Sequence, residues 1–235
     1  MFKHAVILAG GLGTRLKPYT TVLPKPLVPV GERPILEIII SQLAKSGFKK
    51  VTIAINHKGN LIKAFFGDGS QWNIDIDYSM EKRPLGTMGP LNLIGDLPDN
   101  FLVMNGDVLT DLDFDCLYHF HLNNESLFTI ASCQREEKSE FGVLDVREGQ
   151  LVGFREKPIM QYMVSMGIYM VNKRILQFIP SEVLFGFDHL MMKLIGLNEH
   201  VLTYHHQGLW LDIGRPQDCL EANERLYGIE GEWLK

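Results

Sequence analysis

The segment Leu8-Ala9-Gly10-Gly11-Leu12-Gly13-Thr14-Arg15-Leu16 directly follows a short apolar run, Ala5-Val6-Ile7-Leu8. Glycines in such a turn let backbone N–H groups come close to a polyphosphate and form a nest for anions. Two better-known glycine loops are excluded. The dinucleotide fingerprint needs a third glycine where Leu16 stands, and the ATPase phosphate loop needs Gly-Lys-Ser/Thr, a tripeptide this chain lacks. A bare glycine turn can be purely structural, but this one carries Arg15. Ten residues on comes Lys25, bracketed by Pro24 and Pro26. The prolines stiffen the backbone around Lys25, which presents a point charge while Arg15 supplies a planar fork. Both would suit a triphosphate.

Other reactive residue types fall into patterns with less chemical content. His119-x-His121 projects onto different faces of the helix predicted after Asp113, and His205-His206 onto opposite faces of a strand. Neither has the i,i+4 spacing of a helical zinc site, so both pairs read as solvent or core residues. Asp111-x-Asp113 could hold a metal, but it stands where a helix starts and reads as capping. Three cysteines, Cys116, Cys133 and Cys219, are far apart and odd in number. That argues against a disulfide framework or a CxxC metal site and fits a reducing cytoplasm.

These residues need a scaffold, and the chain is long enough to make one. At 235 residues, one domain with a real core is expected, and 46% hydrophobic with 22% charged residues excludes disorder. With 23 Lys plus Arg against 28 Asp plus Glu the net charge is −5. No electrostatic attraction to nucleic acid or anionic membrane follows from that balance. No apolar stretch reaches the roughly 20 residues of a membrane span, and the first apolar run meets Gly10, Gly11 and Arg15 too soon for a signal peptide. A cytoplasmic location is the resulting expectation.

Apolar runs alternate with amphipathic stretches through the first half. Strands are predicted at Ala5 to Leu8, Val51 to Ile55 and Phe101 to Met104, with a half-buried or edge strand at Ile74 to Tyr78. Helices are predicted from Pro34 to Gly47, where Ile35, Leu36, Ile39, Ile40 and Leu43 make one apolar face, and over Leu61 to Phe66. This rhythm implies an α/β fold with a mostly parallel sheet covered on both faces. After about residue 125 short strands dominate, at Leu127–Ala131, Val143–Val146, Leu151–Phe154 and Val164–Val171, before helices return near Arg174 and Asp188. The simplest reading is one sheet whose second half carries an inserted hairpin region as the far wall of a cleft. The run Arg135-Glu136-Glu137-Lys138 reads as a solvated loop or face.

The stretch from Ala5 to Glu37 resembles the N-terminal signature of sugar-1-phosphate nucleotidylyltransferases. The likeness continues through Pro84-Leu85-Gly86-Thr87, Asn105-Gly106-Asp107, Phe141-Gly142-Val143, Glu156-Lys157-Pro158, Gly167-Ile168-Tyr169 and Trp210-Leu211-Asp212-Ile213-Gly214. These blocks follow the family's order over about residues 3–226 and are far more specific together than singly. The resemblance implies a Rossmann-like, mostly parallel mixed sheet flanked by helices, with an inserted sugar-binding hairpin region. In this reading residues 1–235 form one nucleotidyltransferase domain. Residues 1–125 would be mainly nucleotide-binding, 126–226 mainly sugar-binding, and 227–235 a polar tail with Trp233.

The implied reaction is attack by a sugar-1-phosphate oxygen on the α-phosphorus of a nucleoside triphosphate, expelling pyrophosphate. Two anions meet, so cations are the central requirement. The resemblance places Arg15 on the β- and γ-phosphates and Lys25 at the α-phosphate. Leu8, Ala9, Gly10, Gly11, Gly13, Thr14, Gly86, Thr87, Asn105 and Gly106 would bind the nucleotide. Asp107 and Asp212 would hold Mg²⁺, which usually takes one or two protein carboxylates. Lys157 would clamp the sugar phosphate, Glu156 accept from a sugar hydroxyl, and Gly142 and Gly167 let the backbone pass the sugar. Ser165 stands where many relatives carry Asn, so the sugar's hydroxyl contacts stay open.

Glu81 lies five residues before Gly86, where thymidylyl-type relatives place a base-reading Gln. A carboxylate only accepts, which matches the adjacent N1–H and N2–H₂ donors of guanine. Leu23 to Glu37 and Leu85-Gly86-Thr87-Met88-Gly89-Pro90 also look most like mannose-1-phosphate guanylyltransferases. GTP with mannose-1-phosphate is the first expectation, and glucose-1-phosphate with dTTP or UTP the chemical alternative. A non-catalytic sensor of nucleotide sugars would be expected to have lost Arg15, Lys25 or one Asp. A glycosyltransferase would not need Arg15 and Lys25 on a triphosphate. No hexapeptide repeats follow, which sets aside a β-helix trimer, while a homodimer is compatible with the chain.

Overall fold

Continuous apolar strands imply a sheet covered on both faces, and the computed structural model, which describes residues 2–56 and 59–227, has that arrangement. Strands His4–Leu8 (β1), Pro29–Val30 (β2), Arg33–Pro34 (β3), Lys50–Ile55 (β4), Asp75–Met80 (β5) and Asn100–Asn105 (β6) come from the first part of the chain. Val108–Thr110 (β7), Phe128–Lys138 (β8), Val143–Arg147 (β9), Gln150–Arg155 (β10), Ile159–Asn172 (β11), Val201–His205 (β12) and Trp210–Asp212 (β13) follow. Seven of them form one sheet in the order β12-β8-β11-β6-β1-β4-β5.

In this sheet β1 pairs in parallel with β4 and β6, and β4 with β5. Strand β11 runs antiparallel between β6 and β8, and β12 returns parallel to β8. The sheet is therefore mixed and mostly parallel. Strand β5 is its edge, as its alternation of apolar and acidic residues implies.

Period-2 alternation sends successive side chains of β1 to opposite faces. Ala5 and Ile7 join a core with helices Ile35–Lys45 (α1), Gly59–Phe66 (α2), Phe114–Asn123 (α3) and Pro216–Tyr227 (α5). Val6 joins the opposite core, which includes Phe101, Val103, Tyr169 and Val171 and helix Phe187–Gly196 (α4). Helix α1 buries Ile35, Leu36, Ile38, Ile39, Ile40 and Leu43. It ends where Gly47 takes a left-handed φ of 79°.

The change of pattern after residue 125 reflects two long strands. Strands β8 and β11 pair from Phe128↔Val171 out to Lys138↔Ile159, well past the edge of the helical layers. The β9–β10 hairpin joins their far ends as a separate two-stranded sheet. Arg135-Glu136-Glu137-Lys138 is the solvated face of the two alternatives, at the end of β8, with the Arg135 guanidinium 4.7 Å from the centre of the Trp210 ring. The expected tail with Trp233 lies outside the described residues.

The histidine and aspartate expectations resolve individually. Asp113 caps α3, accepting from the N–H groups of Asp115 and Cys116 at 2.9 Å each. Asp111 does not cap; it accepts from His206 Nε2 at 2.7 Å, because the β12–β13 connection folds across it. His121 is a core residue bonded to Thr129 and Asn100, and His119 is exposed. Among the described residues no group of three or more His, Cys, Asp or Glu is placed to hold a metal. No described helix is long and apolar enough to cross a membrane.

Candidate active site

The carboxyl ends of β1, β4, β5 and β6 lie side by side, and in α/β sheets ligands bind at that end. A cavity of about 590 Å³ opens there. Of the expected site residues, Leu8, Gly10, Gly11, Glu81, Gly86, Thr87, Asn105 and Asp107 contribute to its wall. Asn56, Arg83 and Leu184 also line it, and the sequence reading did not single them out.

Several residues of the glycine loop shape the cavity without lining it. The N–H of Ala9 bonds Ala54 O at 2.8 Å, and the N–H of Gly106 bonds Leu8 O at 3.0 Å. Both donors are engaged within the fold. Gly13, with φ 63°, receives Thr20 Oγ1 on its carbonyl and packs against the Lys25 Cβ, tying the loop to the lysine segment. Thr14 and Arg15 begin a short 3₁₀ turn and are exposed.

Four charged groups converge beside the cavity. Lys25 Nζ contacts Asp107 Oδ2, while Asp107 Oδ1 is buried with no partner. Strand β13 pairs with β7 so that Asp212 stands opposite Val108, next to Asp107 in the chain. The N–H of Ile213 donates to Asp107 O at 2.9 Å. Burial first, then the Asp107 charge, holds the Asp212 carboxyl above its ordinary pKa, against Lys25 and Arg15. Arg15 extends across Gly214, where an added Cβ would lie 3.5 Å from a guanidinium nitrogen.

This donor set fits a divalent cation. Two neighbouring carboxylates, one with a buried oxygen lacking any hydrogen bond, are what Mg²⁺ accepts when phosphate and water fill its other positions.

Glu81 follows β5 and reaches back over the loop. Its Oε2 accepts the Leu85 N–H at 3.2 Å, and its Oε1 occupies the space a side chain on Gly10 would need. Burial raises its pKa, opposed by the Leu85 N–H. The opposite wall is a strap over residues 182–187. Phe185 N bonds Leu85 O at 2.9 Å, its carbonyl accepts from Met88 and Gly89, and Phe187 N donates to Thr87 Oγ1 at 2.8 Å. Gly86 has φ 80°, and a Cβ there would sit 2.7 Å from Phe185 O.

The second half reaches this region through a bulge in β11 between Ser165 and Tyr169. Ser165 Oγ accepts the Gly167 N–H at 3.3 Å. Gly167, φ 72°, lies against Asn105, whose Nδ2 would be 2.5 Å from an added Cβ. Gly142 packs on the Phe154 ring and the Glu156 carboxylate. Glu156 and Lys157 are exposed at the end of β10, with Lys157 at φ 42°. None of these five residues lines the cavity itself.

Comparison with known proteins agrees with this geometry. The family model described as nucleotidyl transferase matches residues 4–227. The chain belongs to that family. Members of the nucleotidyl transferase family are generally divalent-metal dependent. Among curated relatives, a mannose-1-phosphate guanyltransferase of Yarrowia lipolytica is 32% identical over 229 residues, 92% of this chain and 62% of that protein. The mannose-1-phosphate guanylyltransferase catalytic subunit beta of Xenopus tropicalis is 33% identical over 228 residues, with the same coverage. The chain thus spans about 62% of the length of these relatives. The crystal structure of HddC from Yersinia pseudotuberculosis, also solved in complex with GMP-PN, superposes with a TM-score of 0.74 at 26% identity. It covers 96% of this chain and 100% of that one. A Bacillus anthracis protein assigned as a glucose-1-phosphate thymidylyltransferase has the same fold, with a TM-score of 0.77, 21% identity and coverage of 96% and 95%.

For this nucleotidyl transferase domain, the strap, Arg83 and Asn56 were the cavity elements hidden from sequence reading. Asn56 had a weak signal, a polar residue just past a buried parallel strand. Nothing in Leu184-Phe185 marks those residues as a wall opposite Gly86.

Proposed function

We propose that this chain transfers a nucleotidyl group from an NTP to a sugar-1-phosphate, giving an NDP-sugar and pyrophosphate, with GTP and mannose-1-phosphate as the favoured pair. The observation that carries this reading is the meeting of Lys25, Asp107, Asp212 and Arg15 beside a cavity walled by the glycine loop and Glu81. Residues 1–125 supply the nucleotide side and 126–226 the sugar side of one catalytic domain, working in the cytoplasm.

The chemistry joins an oxygen of the sugar phosphate to the α-phosphorus while the bond to the β-phosphate breaks. Both reactants are anions, so the barrier falls when fixed positive charge faces the oxygens that gain charge. Lys25 leaves Asp107 for the α-phosphate, and Arg15 grips the departing pyrophosphate with its planar fork. Gly10, Gly11 and Thr87 border the nucleotide, and Gly86 turns the chain so that the strap closes the base cavity. Glu156 and Lys157 approach the sugar phosphate from the hairpin, with Ser165 and Gly167 beneath it. Asp107 and Asp212 would hold Mg²⁺, which would supply Lewis-acid stabilisation of the charge on the phosphates. No protein nucleophile is required.

Glu81 and the names of the curated relatives favour guanine, as does the GMP-PN complex of the Yersinia protein. Glucose-1-phosphate with dTTP or UTP is the alternative, since the fold of the Bacillus protein is shared. The test is pyrophosphate release with Mg²⁺ and GTP, dTTP, UTP or CTP, crossed with mannose-, glucose- and N-acetylglucosamine-1-phosphate. Release that Asp107→Asn abolishes establishes the reaction. A dTTP or UTP maximum would reject the guanine assignment, and silence from folded protein in all wells would reject these substrate pairs.

A further inference from the structure

The turn between β13 and α5 connects three of the four charged groups, and one side chain outside the site ties it. Asp212 ends β13, Ile213 donates its N–H to Asp107 O, and Gly214 underlies the Arg15 guanidinium. Asp218 Oδ2 accepts the N–H of Gly214 at 2.9 Å and that of Arg215 at 2.6 Å. The Asp218 N–H returns to Arg215 O at 3.0 Å. A single carboxylate therefore fixes the backbone immediately after Asp212 from the far side of the chain.

Asp218 and Arg15 flank Gly214 on the same scale of distance. An added Cβ on Gly214 would lie 3.6 Å from Asp218 Oδ2 and 3.5 Å from the Arg15 nitrogen. The charge nearest in effect to Arg15 is that of Asp212, whose carboxylate it favours, so the course of the backbone through Gly214 decides where the guanidinium meets Asp212.

We propose that Asp218 is a positioning residue: by anchoring Gly214 and Arg215 it sets the direction of Asp212 and the seat of Arg15. The inference rests on the nucleotidyl-transfer reading. A simpler role exists for the same bonds. Asp218 is the third residue of α5, and an acidic side chain there commonly reaches back to the N-cap N–H. A cap alone would affect stability and leave the metal and pyrophosphate sites unaltered, so the two roles separate by experiment.

Three variants test it, with wild-type turnover as reference. Asp218→Ala removes the oxygen that accepts both N–H groups, Asp218→Asn keeps an oxygen that can accept both, and Glu221→Ala weakens only a surface pair with Arg225. Asp218→Ala should lower kcat about tenfold or more with little change in the KM for the sugar phosphate, while Asn restores kcat to within about threefold. These figures follow the sensitivity of catalysis to small misplacements. Mn²⁺ binding with a non-hydrolysable GTP analogue, read by electron paramagnetic resonance, should weaken several-fold in Asp218→Ala and remain near wild type in Asn and in Glu221→Ala. If Asp218→Ala does not fold, Asp218→Ser is the substitute, because its shorter side chain keeps a hydroxyl acceptor that reaches the two N–H groups less well and should give a smaller loss of the same kind.

Wild-type kcat and metal affinity in a folded Ala or Ser variant would overturn the inference. Equal losses in Ala and Asn would do the same, since anchoring geometry would then not matter. If the wild-type protein transfers no nucleotidyl group, the functional reading itself fails, and that outcome is distinct from both.

Discussion

Lys25 and Asp107 are 82 residues apart, yet the ammonium of one rests on Oδ2 of the other while Oδ1 of the aspartate is buried without a partner. The arrangement keeps two charges in place that would separate when substrates arrive. In the proposed reaction a phosphate would take Lys25, and a divalent cation would take the carboxylate freed from it. Either charge left alone at a partly buried site costs several kcal/mol, so each stabilises the other until then.

Removing Lys25 should therefore impair turnover much more than binding. Lys25→Ala is expected to lower kcat by about 10²–10³, the range seen when one fixed donor to a developing charge is lost. It also leaves Asp107 unpaired beside Asp212. Initial-rate measurements of pyrophosphate release check the first effect, and a weaker loss than tenfold would remove Lys25 from the α-phosphate.

In the proposed reading, base choice follows from Glu81. Replacing it by Gln exchanges one acceptor for a donor, and a correct bidentate pair is worth about 1–3 kcal/mol of discrimination. Glu81→Gln should lower kcat/KM for GTP by about ten- to a hundredfold and raise relative use of dTTP or UTP. Burial places the Glu81 pKa above its usual value, so its proton returns at a higher pH than for an exposed glutamate. GTP preference over UTP should decline on acidification in the native protein and be insensitive to pH in the Gln variant. Competition assays at several pH values measure both.

The strap over residues 182–187 depends on the left-handed Gly86. Gly86→Ala imposes a strained φ and drives a Cβ into Phe185 O, a backbone atom that cannot turn aside. A loss of roughly 1–3 kcal/mol is expected from the conformation alone. Urea unfolding reads that loss. A raised KM for the NTP, with the KM for the sugar phosphate unchanged, would locate the damage at the base wall.

Much of this arrangement was legible from local signals. Buried strands show as unbroken apolar runs, and α1 announces itself by its proline start, its apolar face and Gly47. The ordered motif blocks likewise marked Arg15, Lys25, Asp107 and Asp212 before any geometry. What could not be read were contacts set by tertiary register. The length of β8 and β11 was underestimated because their outer halves, beyond Gln134 and Met163, face solvent on both sides and lack the buried pattern. Asp111 looked like a cap because its partner, His206, lies 95 residues away. Asp218 was not singled out, since nothing local reveals that its carboxylate ties the backbone at Gly214 and Arg215 beside Asp212.

Two buried histidines predict how the fold responds to acid. His4 and His121 are almost completely inaccessible, and burial lowers both pKa values from 6.5 to about 4. Lys50 adds to the effect at His4. In the unfolded chain each histidine binds a proton near pH 6.5, and in the folded protein only near pH 4. The unfolded state thus holds more protons between those values, so stability must fall as pH drops through that window. At about 1.4 kcal/mol per pKa unit, each residue withdraws roughly 3 kcal/mol once the pH is below about 4. The window lies above that of the paired carboxylates such as Asp113, whose lowered pKa adds its loss at still lower pH. Urea denaturation at intervals from pH 7 to pH 4 should show the decline beginning near 6.5. Replacing His121 by Asn, which can still bond Thr129, should roughly halve the slope between pH 6.5 and 4.5. An unchanged slope would mean that His121 takes up its proton in the folded state as readily as in the unfolded one.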